Sequence, residues 1–207
     1  MDLSMEYFSH LQKDRKLRKV LLSPLPPLKL QPRADIRLMQ SIMSQQLSTT
    51  VARTLHQRFF AHCGSDKPDI RFIAQMDPAL LQAIGLSRAK TSYILNVAQF
   101  FTQHSITDRK LRAMRSEEII TLLTQIKGVG RWTVEMLLMF TLAREDVFAV
   151  DDLGIQLAMT QLYRLERPLK GNRQDFKNQL LSISERWSPY KTYACLHLWR
   201  FKDNPPL

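Results

Sequence analysis

The chain has 207 residues, 44% of them hydrophobic, enough to bury one sizeable core or two small ones. No run approaches the roughly 18 apolar residues of a membrane span, and two distant cysteines, Cys63 and Cys195, match no metal spacing and exclude a four-cysteine iron–sulfur site. Thirty Lys and Arg against nineteen Asp and Glu leave a formal charge of +11, which favours polyanions, nucleic acid first, as partners.

The N-terminus MDLSMEYFSHLQKDRKLRK carries acids early and lacks a continuous apolar stretch, so it does not read as a signal peptide. A reduced, intracellular protein is expected, in cytoplasm or nucleoid if bacterial and in the nucleus if eukaryotic. Residues 2–13 and 14–22 read as short helices. The cluster Lys13–Lys19 is a DNA-contacting or targeting run, or the wet face of a helix. Four prolines between Leu22 and Pro32 force an extended connector. Helices follow over 35–46 and 48–63, with Ile36, Met39 and Met43 on one face. Asp77-Pro78 opens a short helix ending near Gly85, and Ser87 caps a long one through Phe101. Another runs from Ser116 to Lys127. The helix after Gly130 reaches about Ala143 and buries Val134, Leu137, Leu138 and Thr141. VFAV (147–150) is extended, the pair Asp151-Asp152 opens the next helix, and 173–184 and 189–200 close the chain. The fold class expected is all-α: one unit of two interleaved helical lobes with a central cleft, lobe one near 1–34 plus 145–207 and lobe two near 35–144.

Gly128-Val129-Gly130 takes two of the six glycines and sits between two helices. The second helix begins there with unpaired amides and a positive dipole end, a place for an anion. Without Cβ atoms a phosphate oxygen could reach those amides. The same glycines would also serve as a helix C-cap and a tight helix–helix contact. Gly85-Leu86-Ser87-Arg88-Ala89-Lys90 offers a weaker version of this turn, with Ser87, Arg88 and Lys90 meeting a second phosphate or facing solvent.

IKGVGRWTVEM followed by DVFAVDDLGIQ resembles the helix-hairpin-helix DNA glycosylases. SIMSQQLSTTVA (41–52), GLSRAK (85–90) and ERWSPYKTYACLHLWRF (185–201) resemble the 3-methyladenine DNA glycosylase II (alkyladenine) family. The chain resembles a compact member without the N-terminal β domain of longer ones. The resemblance implies a monofunctional hydrolase that frees alkylated purines, such as 3-methyladenine and 7-methylguanine, from duplex DNA by base flipping in base excision repair. It implies Asp152 as the catalytic carboxylate, with Asp151 as the N-cap of the helix. Bifunctional relatives carry a Lys where this chain has Trp132, so no lyase step is expected. Trp132, Trp199, Met136 and Tyr190 would line the base pocket, an indole face favouring a cationic purine. The hairpin Gly128, Val129, Gly130 and Arg131 would hold the DNA backbone. Gln45, Gln46 and Leu47 would occupy the wedge position, with Gln46 filling the gap left by the flipped nucleotide. Trp187 and His197 are expected in the core, His197 hydrogen-bonded there. No catalytic cofactor is expected; a structural cation at the hairpin would use the carbonyls of Thr124, Ile126 and Val129. The partner expected is double-stranded DNA, bound by a monomer. The competing readings are a non-catalytic helix-hairpin-helix DNA-binding module and a glycosylase for oxidised or mismatched bases.

Overall fold

A computed structural model describes residues 3–168 and 173–203. Among them there are helices and loops and no strand. The helices are α1 (Leu3–Leu11), α2 (Ala34–Ser44), α3 (Thr49–Cys63), α4 (Ile70–Ala74), α5 (Pro78–Ala83), α6 (Arg88–Gln103), α7 (Asp108–Ala113), α8 (Ser116–Leu123), α9 (Arg131–Phe140), α10 (Leu153–Tyr163), α11 (Arg173–Ser184) and α12 (Lys191–Asp203). Short 3-10 turns cover Leu17–Val20 and Glu185–Trp187. The chain divides into one unit of Met1–Lys29 with Leu138–Leu207 and another of Leu30–Leu137. One boundary falls in the proline-rich connector; the other falls within α9.

In the first unit, residues 14–22 do not form the α-helix expected. Leu11, Asp14, Leu17 and Val20 are buried while the basic residues between them are exposed, a spacing of three that suits the tighter 3-10 turn. Most of the basic run is therefore a wet face, and its one acid is its anchor. The Asp14 carboxylate accepts from the backbone of Lys16 and Leu17, from Tyr163 Oη at 2.8 Å and from Trp187 Nε1 at 3.2 Å. Those bonds hold its pKa below the usual carboxylate value against burial, which pushes upward. Trp187 lies in the core as expected. Tyr7 of α1 stacks on Tyr193 of α12 with ring centroids 3.9 Å apart.

In the second unit α6 is the central helix. Thr91, Ile94, Val97, Ala98 and Phe101 are its buried face, and α2, α4 and α5 pack on it. Ile36, Met39 and Met43 are buried together as their spacing predicts. Short helices α4 and α7 went unanticipated because each is a single capped turn or two, below the length at which periodicity registers. Asp69, Asp77, Ser87 and Thr107 each cap a helix by accepting an amide two or three residues on.

Candidate active site and nucleic-acid interface

A tight turn precedes α10: the Asp152 N–H donates to Ala149 O at 3.0 Å. That places Asp152, rather than Asp151, at the N-cap, where its Oδ1 accepts from Ile155 N at 2.9 Å. The expectation that Asp151 caps the helix is thus corrected. Asp151 lies one residue outside it, and its carboxylate turns to the Lys177 ammonium. The same Oδ1 of Asp152 accepts the indole N–H of Trp199 at 2.8 Å. Two donors on one oxygen fix the carboxylate's orientation. Gly154 lets this happen: a Cβ there would lie 3.1 Å from both Asp152 Oδ1 and Trp199 Cδ1. Trp199 is half-buried and stacks on Phe140, centroids 5.9 Å apart.

Tyr190 belongs elsewhere. Its ring meets His10 edge-on at 5.5 Å and lies near Tyr7 and Tyr193, and it sits at the start of α12, nine residues before Trp199. At the rise of an α-helix that separation is about 13 Å along the axis. The expected pocket role for Tyr190 is therefore replaced by one in the α1–α12 aromatic cluster. On α9, Trp132 and Met136 are half-buried and Phe140 is exposed, while Thr133, Val134, Leu137 and Leu138 are buried. Trp132, Met136 and Phe140, four residues apart, form one stripe along the helix. His197 is 1% exposed, but its Nε2 has no hydrogen-bond partner, which corrects the bonded core histidine expected. Burial, with the nearby Arg200 charge, pushes its pKa down to about 4.

The hairpin glycines divide their roles. Gly128 has φ +98°, and a Cβ on it would meet the Tyr93 ring at 2.1 Å. A Cβ on Gly130 would meet nothing within 4 Å. Asn96 Nδ2 also braces the turn, donating to Lys127 O at 3.1 Å. The helix before the turn stops at Leu123, not Lys127, and unwinds through successive three-residue turns: Ile126 N–H to Leu123 O, then Val129 N–H to Ile126 O. Arg131 is exposed and engaged on one side. Its guanidinium donates to Glu117 at 2.8 Å and to the buried Glu135 at 2.9 Å, tying the start of α9 to α8. The Ile126 carbonyl is engaged within the turn, and among the described residues no cluster of His, Cys, Asp or Glu could hold a metal.

The α2–α3 corner carries Gln45, Gln46 and Leu47. Gln46 and Leu47 are exposed, and Gln46 adopts a left-handed φ of +60°. Gln45 turns inward, its Nε2 donating to Thr133 Oγ1 at 3.3 Å. Ser87 caps α6 as expected, and Arg88 is exposed. Lys90, expected to face phosphate or solvent, instead donates to Met43 O at 2.8 Å and Gln45 O at 2.7 Å. Partial burial pushes its pKa below the usual lysine value.

Residues 39–181 match the HhH-GPD superfamily of base excision DNA repair proteins. The chain belongs to that superfamily. This HhH-GPD protein is 35% identical to DNA-3-methyladenine glycosylase 1 of Schizosaccharomyces pombe, over 79% of its own length and 70% of that relative's. It is 32% identical to Bacillus subtilis YfjP over 79% of its own length, but spans only 57% of that relative. Among solved structures it is similar to the S. pombe 3-methyladenine DNA glycosylase Mag1 in complex with abasic DNA, with a TM-score of 0.79 and 30% identity over 97% of this chain and 98% of that one.

Two residues of this HhH-GPD chain that bear on the site escaped the sequence reading. Phe140 was legible in principle, at four-residue spacing from Trp132 and Met136. Gly154 carried no signal, since a glycine in the first turn of a helix is unremarkable until a neighbouring indole is known to need the space.

Proposed function

We propose that this protein is a monofunctional DNA glycosylase that hydrolyses the N-glycosidic bond of alkylated purines in duplex DNA. The observation that carries this reading is the Asp152 carboxylate, oriented by two N–H donors, in a chain akin to named 3-methyladenine glycosylases. As the C1′–N bond breaks, its electron pair goes to the purine, which leaves neutral because alkylation had made it cationic. The sugar acquires oxocarbenium character, and the Asp152 charge stabilises it. Water adds at C1′ and gives its proton to the carboxylate or to solvent, leaving an abasic site. Trp132 and Met136, with Phe140 added to the stripe, face the base; Trp199 orients the carboxylate as well as offering an indole. Gly130 and the first amides of α9 take a phosphate, and Gln46 enters the duplex. The chain has Trp132 where a Schiff-base lysine would stand, so the strand stays uncut. A cation bridging hairpin and phosphate would draw on the carbonyls of Thr124, Ile126 and Val129; only structure and phosphate affinity, not chemistry, would depend on it.

Incubating the protein with methylated duplex DNA and separating the freed bases tests this reading. The expected products are 3-methyladenine and 7-methylguanine, with strand breaks appearing only after alkali. DNA binding without base release would favour the non-catalytic module.

A further inference from the structure

The last carbonyls of α2 have no partners within the helix, and the chain leaves that helix through a left-handed Gln46, a conformation that a non-glycine side chain rarely adopts. Such a corner persists only when its surroundings over-determine it. Two struts do so here. The Lys90 ammonium, a compact charge with several donors, bridges Met43 O and Gln45 O on either side of the helix end. Thr133 Oγ1 also takes the Gln45 amide, and Leu47 N–H closes the turn on Ser44 O at 3.1 Å. Lys90 belongs to the first turn of α6 and Thr133 to the first turn of α9. Each strut therefore comes from a helix that begins at a glycine-bearing turn.

We propose that Lys90 and Thr133 are positioning residues that clamp the Gln45–Gln46–Leu47 corner so that Gln46 is presented rigidly to the duplex. This rests on the reading above that Gln46 enters the DNA. The two helix starts that would receive phosphates thus also hold the wedge, so that docking the backbone aims the inserted side chain. Lys90 on this view contributes no phosphate contact of its own.

The distinction is measurable with Lys90→Met, Thr133→Val, Gln46→Ala and the Lys90→Met/Gln46→Ala double variant. The probe is a duplex with 2-aminopurine at the target position, whose fluorescence rises when the base leaves the stack. Lys90→Met and Thr133→Val are expected to lower that rise and the single-turnover excision rate by roughly tenfold. The slope of log affinity against log salt should stay at the wild-type value. A lysine that touched a phosphate would make the slope shallower by about 0.9, and that result with flipping intact overturns the proposal. The double variant should be no worse than Gln46→Ala alone; an additive loss would also overturn it. Wild-type flipping by Gln46→Ala would instead remove the wedge reading itself, while impaired Gln46→Ala with normal Lys90→Met and Thr133→Val would sink only the clamp. Should Lys90→Met fail to fold, Thr133→Val, which keeps the buried shape, still decides whether the corner needs its struts.

Discussion

A Cβ added at Gly128 would collide with the Tyr93 ring, whereas one at Gly130 would stand in open space. Gly128→Ala should therefore cost at least about 2 kcal/mol in stability, combining a strained left-handed backbone with an overpacked contact. Gly130→Ala should melt like the wild type and lose affinity for undamaged duplex, because nothing in the protein itself forbids the methyl group. Parallel melting and binding measurements separate the two. Gly154 sets a similar test. Alanine there gains helix propensity of up to about 1 kcal/mol but crowds Asp152 Oδ1 and Trp199 Cδ1 at 3.1 Å. Gly154→Ala is expected to hold its melting temperature while kcat falls, and Trp199→Phe, which loses the N–H donor, should lower kcat too. The sequence pointed to the Asp151-Asp152 pair but assigned the cap to the wrong member. One residue of register at a helix start decides which carboxylate meets the amides, and composition does not encode that register.

At the level of elements, most helices were legible because their buried faces repeat with helical period, as in α2, α6 and α9. Their ends were less so. α8 stops four residues short of Lys127 because the chain spends those residues on the turns that build the hairpin, and α9 stops at Phe140 ahead of Ala143, whose φ of +52° no helix continues through. Arg131 also braces α9 against α8, a role that its charge alone does not reveal. Arg131→Met should destabilise the protein by about 2 kcal/mol, since it withdraws a guanidinium from the buried Glu135. Denaturant unfolding would show it, and affinity for DNA measured well below the melting temperature should change little in its salt slope.

For the whole molecule, the surplus of positive charge predicts a steep loss of DNA affinity with salt, linear in log–log form. Stability should also fall with acid in a defined window. Burial lowers the pKa of His56 below 6.5 and that of His197 from 6.5 to about 4, so between those pH values the unfolded chain binds more protons than the folded one. Stability is then full above pH 6.5 and declines toward pH 4, by up to about 3 kcal/mol for His197. His197→Gln should flatten that decline in melting temperature between pH 7.5 and 4.5. The all-α class and the kinship were readable because several motifs keep one order along the chain; the inward turn of Lys90 and Gln45 was not, because both depend on contacts between distant segments. On the proposed mechanism one charge, that of Asp152, performs the chemistry. Asparagine is an equally good N-cap and its amide oxygen can accept the same two donors, so Asp152→Asn removes the charge and little else. Comparing its single-turnover release of 3-methyladenine with its affinity for the same duplex is the most direct test. Affinity close to wild type with release abolished is predicted; release at the wild-type rate would contradict the account.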